Sequence, residues 1–332
     1  MSLYTLRNIC IFGALYTLVV ISVGVWVRLT DAGLGCPDWP GCYGILGTPE
    51  TDLEISKARE LYPDAVIDTG KAWREMFHRY LAGVLGIFVF YISYLIIKYA
   101  KHVSKIFPIA LILLIITQSI MGMLTVTELV KPTIVTTHLV LGMSTATLLL
   151  WNGLLVQEDK ILKLIDKKLI ILIGLCILGL LTQIILGGWT STNYASLACT
   201  DFPKCDNSWW PSNMDYKSGF TIFNLPSINY ELAPLAYNAK LAIHFTHRLG
   251  ALLLTGLYLY LFTYIFFKQS DITLKVVSTI VLLVFVLQIL LGISNVMYSL
   301  PINIAVLHTV NASILLMSMI TLLYYSTYHP QR

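Results

Sequence analysis

Eight stretches of this sequence are apolar and long enough to cross a lipid bilayer, and they limit what the chain can fold into. A bilayer core of roughly 30 Å requires about 20 apolar residues in a helix, and open sheets cannot satisfy their backbone there. Charged residues make up only 12% of the chain, about half the share found in soluble domains. The sequence therefore predicts an all-α integral membrane protein with eight transmembrane helices. The predicted spans are 9–28, 75–98, 106–127, 133–155, 169–190, 241–267, 273–296 and 302–325.

Lysine and arginine are unevenly distributed between the loops on the two sides of these spans. The short loops near 99–105, 157–168 and 268–272 lie on the same side as both termini and carry most of the basic residues. The positive-inside rule then predicts that both termini are cytoplasmic. The long loops 29–72 and 191–240 would lie outside. The net charge of +4 follows from this topology and gives no indication of nucleic-acid binding.

The chain also contains an internal repeat with an offset of about 170 residues. Each copy has the same order of spans and one long loop after its first span. The repeat predicts two pseudo-symmetric four-helix bundles, 1–156 and 157–332, related by an axis along the membrane normal. The matching pairs are Glu75 and His244, His78 and His247, Arg79 and Arg248, Gln118 and Gln288, and His138 and His308.

Four intramembrane histidines occupy equivalent positions in the two copies. Each lies about 8–10 Å below the outer surface at about 1.5 Å per helical residue. Facing imidazoles at one depth can hold a haem iron from both sides. The sequence predicts such pairs for His78 with His138 and for His247 with His308, with interhelical hydrogen bonding as the alternative.

Residues beside these histidines are predicted to serve a haem as well. Gly83, Gly142 and Gly250 follow the histidines and would let a flat macrocycle approach the backbone. Arg79 and Arg248 directly follow a histidine and could reach haem propionates at the outer surface.

The two copies differ in residue type at one position close to a predicted histidine ligand. Glu75 in the first copy matches His244 in the second, so a carboxylate replaces an imidazole one helical turn before a predicted ligand. This asymmetry suggests that the first half performs chemistry and the second only holds a cofactor. The alternative is an interfacial carboxylate with a small electrostatic effect. His244 itself could contact a propionate or simply the interface.

Two cysteine pairs lie in the loops predicted to be outside. An oxidising exterior favours disulfides, and five intervening residues permit a small closed loop. Redox-active thiols and metal sites remain alternatives, although two cysteines alone make an incomplete zinc site. The pairs are Cys36 with Cys42 and Cys199 with Cys205.

The chain resembles the haem A synthase family over essentially its whole length. The resemblance rests on Arg28-Leu-Thr-Asp-Ala-Gly-Leu-Gly-Cys36-Pro-Asp-Trp-Pro-Gly-Cys42 and on Glu75-Met-Phe-His78-Arg79-Tyr-Leu-Ala-Gly83, together with the other histidines. It implies oxidation of the C8 methyl of haem O to a formyl group by successive hydroxylations. The product, haem A, serves respiratory oxidases.

The resemblance also implies roles for individual residues and partners. His78 and His138 would flank the haem O substrate, with Glu75 as the essential carboxylate. His247 and His308 would ligate a haem b cofactor. The protein would lie in the cell (inner) membrane with its haem sites toward the outer face. A haem O synthase, an electron acceptor such as a quinone or a soluble protein, and a second copy of this chain are the expected partners.

Three other functions fit parts of this pattern. A bis-histidine cytochrome b would carry two equivalent haems and give Glu75 no role. A haem transporter or chaperone would release its haem unchanged. A metalloprotease based on His244 and His247 lacks a third ligand and a catalytic glutamate nearby.

Overall fold

The computed structural model describes residues 1–157, 160–162, 166–223 and 225–330, and most of this part is helical. Among these residues, eight helices are long and apolar enough to cross a membrane, which confirms the eight predicted spans. They are α1 (Leu3–Leu29), α3 (Thr69–Tyr99), α4 (Ile106–Thr127), α5 (Pro132–Leu155), α6 (Lys167–Thr192), α8 (Tyr237–Lys268), α9 (Ile272–Met297) and α10 (Ile302–Thr327). Two shorter helices, α2 (Asp52–Leu61) and α7 (Tyr216–Gly219), lie in the two long loops.

The helix α3 starts earlier than the hydropathy predicts. Asp68 accepts a hydrogen bond from the Lys71 backbone N–H at 3.0 Å and so caps the helix before Thr69, rather than at 75. Glu75 therefore lies beyond the first helical turn. Because helix-end charge effects fade within that turn, the reading of Glu75 as a helix N-terminal charge loses its basis.

Helices pack in the same cyclic order in the two parts of the chain. Along the first part α1 contacts α3, α3 contacts α4, α4 contacts α5, and α5 returns to α1. In the second part α6, α8, α9 and α10 follow the same order. The two sets meet where α5 contacts α6 and α10, and where α1 contacts α10. This order is what a duplicated unit predicts, and the division at residue 156 stays a prediction.

Two buried apolar clusters form the core, each drawn mainly from one set of four helices. Leu6, Ile92 and Leu149 are fully buried in the first cluster. Ile173 and Tyr258 are fully buried in the second. The clusters also join the two sets, because Met143 of α5 belongs to the second cluster and Met317 of α10 to the first.

The acidic stretch 49–54 leads into α2 and forms its first turn. Thr51 and Glu54 make reciprocal side-chain to backbone hydrogen bonds in a capping box. Glu50 accepts a hydrogen bond from Trp73 Nε1 at 2.5 Å, which ties this helix to α3. The long first loop is thereby folded onto the end of the bundle that carries the histidines.

A small strand pair closes the opposite end of the protein. Strands β1 (Lys160–Leu162) and β2 (Tyr328–Pro330) pair antiparallel, with Ile161 opposite His329. The sequence predicted only a loop at 157–168, and part of that loop lies outside the described residues.

A polar clamp joins the two sets of helices at the end that carries the long loops. Arg28, near the end of α1, donates to Tyr194 Oη at 2.9 Å and to the Ser191 carbonyl at 3.0 Å. Tyr194 Oη donates in turn to Asp31 Oδ1 at 2.7 Å. Burial raises the pKa of Tyr194 to about 12, so the hydroxyl keeps its proton and remains a donor. The clamp connects the ends of α1 and α6.

We expect Tyr194→Phe to lower the free energy of unfolding by about 1–2 kcal/mol, because it leaves Arg28 and Asp31 each without one partner. The measurement is thermal unfolding of the detergent-solubilised protein. Tyr298→Phe is the matched control, since Tyr298 is 69% exposed. An equal effect of both variants would contradict the clamp.

Candidate functional site

The structure brings together both predicted pairs of histidines. His78 on α3 and His138 on α5 are half-buried and close enough to interact electrostatically. His247 on α8 and His308 on α10 form the equivalent pair. Within the described residues, no group of three or more His, Cys, Asp or Glu side chains could hold a metal ion. Paired imidazoles are the ligand set of a bis-histidine haem.

A glycine on a neighbouring helix lies against each histidine. A Cβ atom placed on Gly24 of α1 would lie 2.7 Å from His78 Cε1, closer than a side chain tolerates. The other three pairs are Gly122 with His138, Gly187 with His247 and Gly292 with His308, at 3.1–3.3 Å. These glycines also match across the repeat, a signal that was present in the sequence but was not used.

The glycines that the sequence selected have different neighbours. A Cβ on Gly142 would lie 3.2 Å from Gln118 Nε2, and one on Gly250 would lie 2.5 Å from Gln183 Oε1. A Cβ on Gly83 would meet no atom within 4 Å. Gly142 and Gly250 thus make room for glutamine side chains, and the macrocycle contact of all three stays a prediction.

Glutamine and asparagine side chains hold both histidines of the second pair. Gln183 Nε2 lies 3.0 Å from His247 Nδ1 and donates to the His247 carbonyl at 2.7 Å. Gln288 Nε2 lies 3.3 Å from both ring nitrogens of His308. Asn311 donates to Gln288 Oε1 at 2.8 Å and fixes that amide in turn. The second pair therefore has a complete supporting shell.

The first pair has a thinner shell. Gln118 Nε2 lies 3.4 Å from His138 Nε2. The first half has Val20 at the position that matches Gln183. It has Leu141 at the position that matches Asn311. Three buried atoms here have no hydrogen-bond partner among the described residues. They are His78 Nδ1, His138 Nδ1 and Gln118 Oε1. Buried polar atoms in native proteins are nearly always paired, so these three atoms are available to a molecule bound at this site.

Both cysteine pairs form disulfides in the structure, and each closes a loop beside one histidine pair. In the first loop Asp38 accepts hydrogen bonds from the backbone N–H groups of Tyr43 at 2.6 Å and Gly44 at 2.9 Å. Asp201 does the same in the second loop, for Asp206 at 2.8 Å and Asn207 at 3.1 Å. The aspartate of the repeated motif therefore shapes the loop. Whether either pair is redox-active stays a prediction.

The arginines that follow His78 and His247 hold these loops. Arg79 Nη1 donates to the carbonyls of Asp38 at 2.9 Å and Gly41 at 2.5 Å. Arg248 donates to the carbonyls of Asp201 and Lys204 at 2.7 Å and of Cys199 at 2.8 Å. Each arginine thus fastens a disulfide loop over the histidine pair next to it.

Glu75 and His244 occupy the same structural position in the two halves. The Cys36 N–H donates to Glu75 Oε2 at 2.8 Å, and Arg79 pairs with Glu75 Oε1. In the second half the Cys199 backbone nitrogen lies 3.1 Å from His244 Nδ1, and Arg248 Nε lies 3.2 Å from His244 Nε2. Both side chains are about 5% exposed or less. A carboxylate can accept both hydrogen bonds, whereas a neutral imidazole accepts only one.

A second carboxylate approaches the first site from the second long loop, and sequence reasoning missed it. Glu231 lies against Gly33, 3.5 Å from the position of a Cβ there. Burial raises the pKa of Glu231, and the charge of Asp31 adds to that rise. Glu231 is also close enough to Glu75 to interact electrostatically. No repeat partner marks Glu231 in the sequence, so only the fold identifies it.

Comparison with known proteins gives a consistent result. The family model described as COX15-CtaA, cytochrome oxidase assembly protein, matches residues 7–320. A protein of Shewanella oneidensis named heme A synthase is 42% identical over 93% of both chains. Proteins with the same name from Neorickettsia sennetsu and Halalkalibacterium halodurans are 27% and 26% identical; the aligned share is 95% and 93% of this chain, and 96% and 94% of theirs.

We expect Gly24→Leu to abolish haem binding at the first histidine pair, because the new side chain would occupy the place of the His78 ring. The measurement is haem stoichiometry of the purified protein by pyridine haemochrome spectra. Gly174→Leu is the matched control, since a side chain on this exposed glycine of α6 meets no neighbouring atom. Unchanged stoichiometry in Gly24→Leu would contradict the close packing of His78.

Proposed function

The chain belongs to the COX15-CtaA family of cytochrome oxidase assembly proteins, and on that premise we propose that it is a haem A synthase of the cell (inner) membrane. The reaction oxidises the C8 methyl of haem O to a formyl group by successive hydroxylations. Relatives named for this activity align over nearly the whole chain. The long loops face outward and both termini lie in the cytoplasm, in keeping with the distribution of basic residues.

The two histidine pairs hold different molecules. His247 and His308 ligate a resident haem b, because their complete shell of amide side chains suits a ligand that stays bound. His78 and His138 hold haem O. Their thinner shell of supporting side chains suits a site that must also release its product. The unpartnered nitrogens of this pair support that division.

His247 and His308 would hold the haem b, which would supply a one-electron relay for the four electrons released when the methyl group and water form the formyl group. The chain itself holds the substrate between two imidazoles and closes the site with the loop that Arg79 fastens. Glu75 lies under that loop and is almost fully buried. It serves as proton acceptor or as the charge that stabilises a cationic centre in the substrate.

The observation that carries this proposal is the exchange of Glu75 for His244 at one structural position. In the second half an imidazole occupies the place between a cysteine N–H and an arginine. Holding the loop therefore does not require a carboxylate. The carboxylate at Glu75 is needed for what happens beneath the loop.

We expect Glu75→His to keep the fold and the second-site haem but to lower haem A formation at least about a hundredfold, as loss of a general acid–base group does. Haems extracted from membranes that also express a haem O synthase are identified by mass. Glu75→Gln, which keeps one acceptor but no charge, should behave similarly.

The matched control is His244→Glu, which makes the second loop resemble the first and should leave haem A formation intact. Normal haem A in Glu75→His would remove the chemical role of Glu75. Membranes of the unaltered protein that contain only haems B and O would favour a cytochrome b or a haem carrier.

We expect Gln183→Leu to weaken haem retention at the second pair by about 10–100-fold, the usual effect of removing a supporting residue from a metal ligand. The measurement is haem loss to apomyoglobin, followed by absorbance. Thr182→Val is the control, because Thr182 is exposed and bonds only within its own helix. Faster loss from the first pair instead would reverse the assignment of the two sites.

The propionate contacts of Arg79 and Arg248 stay predictions, since their observed hydrogen bonds go to the loops. The haem O synthase, the electron acceptor and the second copy of this chain also stay predictions.

A further inference from the structure

Gln118 on α4 carries an amide group whose nitrogen is held within the protein and whose oxygen is not. Its Nε2 lies 3.4 Å from His138 Nε2, and a Cβ placed on Gly142 of α5 would lie 3.2 Å from that nitrogen. Its Oε1 is buried and has no hydrogen-bond partner among the described residues. Native proteins rarely leave a buried carbonyl oxygen without a donor, so this oxygen is available to a ligand of the first histidine pair.

The matching glutamine of the second half has a donor for its oxygen within the protein. Gln288 Nε2 lies 3.3 Å from both ring nitrogens of His308. Asn311 donates to Gln288 Oε1 at 2.8 Å and to the Val284 carbonyl at 3.0 Å. The side chain of Gln288 is therefore fixed between a histidine and an asparagine.

Two substitutions on α5 leave the glutamine of the first half without such a donor. Leu141 stands at the position that matches Asn311, and a leucine side chain has no hydrogen-bond donor. Gly142 stands at the position that matches Ala312, and it leaves space beside the amide. Both positions lie within about 1.2 helical turns of His138. The first half thus keeps the glutamine beside its histidine and lacks the asparagine that would occupy its oxygen.

We propose that Gln118 Oε1 accepts a hydrogen bond from a hydroxyl group on the edge of the haem substrate. This proposal rests on the proposed function, which places haem O between His78 and His138. An amide oxygen only accepts hydrogen bonds, so its partner must be a donor. Ionised propionates only accept them, and the ring nitrogens of a haem carry iron in place of hydrogen. A hydroxyl group is therefore the donor that this substrate can offer.

Two hydroxyl groups meet this requirement. One belongs to the isoprenoid side chain of haem O, and the other is formed on the C8 methyl carbon by the first hydroxylation. A contact with the second would hold the alcohol in the site until it is oxidised again. The final formyl group has no O–H to donate, so that contact would end when the product is complete. Haem B carries neither hydroxyl.

Two variants test this contact independently. Gln118→Leu removes the acceptor, and Leu141→Asn supplies the donor that the second half has at this position. Thr117→Val is the control, because Thr117 is exposed and bonds only within its own helix. Purified protein with its second-site haem bound is titrated with haem B, with haem O and with the C8 hydroxymethyl derivative of haem O. The affinity of each is read from the absorbance spectrum.

Both variants should weaken binding of the recognised hydroxyl compound about two- to tenfold, the effect of losing one neutral hydrogen bond. Haem B binding should not change, and Thr117→Val should change none of the three affinities. Weaker binding of haem O and its alcohol alike assigns the contact to the isoprenoid hydroxyl. Weaker binding of the alcohol alone assigns it to the C8 hydroxyl.

The proposal is overturned if Gln118→Leu weakens all three compounds equally, which would show a structural role, or if it weakens none. The spectrum of the second-site haem reports on folding in every variant. Gln118→Leu decides the question alone if Leu141→Asn loses that haem.

This titration is separable from the proposed reaction. A protein that makes no haem A, but loses its preference for a hydroxyl compound over haem B in Gln118→Leu, would retain the contact and lose the synthase function. A protein that makes haem A, and whose Gln118→Leu variant binds all three compounds as before, would retain the function and lose the contact.

Discussion

The capture of loop carbonyls by an arginine beside each first histidine determines how the rest of this structure is arranged. Arg79 and Arg248 follow His78 and His247 directly, so each loop is fastened one residue from a predicted ligand. A guanidinium can bind several carbonyls at once because its donors form a rigid fork. The disulfide and the aspartate turn give the loop a fixed shape for that fork to bind.

Duplication gave the protein two nearly equal sites, and a few substitutions distinguish them. The second pair gains an amide shell from Gln183 and Asn311, where the first has Val20 and Leu141. A complete shell fixes ligand orientation, while an incomplete one leaves polar atoms for an arriving molecule. Under the proposed function, these small changes in hydrogen bonding separate a site for a resident haem from a site for a substrate.

The membrane explains why these differences lie where they do. Helix backbones in lipid must satisfy their own hydrogen bonds, so the eight spans tolerate little variation in the backbone. The differences that bear on the two sites are in side chains between helices and in the loops at one end. Glu75 lies between helices and Glu231 lies in a loop, and both are found beside the first pair only.

The sequence by itself determined the eight spans, the repeated histidines, the two cysteine pairs and the contrast between Glu75 and His244, because hydropathy and repetition are written along the chain. Only the tertiary structure decided that Gly24 rather than Gly83 lies against His78, and that Arg79 binds a loop. It also brought Glu231 from the second loop to the first site. These contacts join residues that are distant in the chain, and periodicity within one helix cannot identify its partner on another.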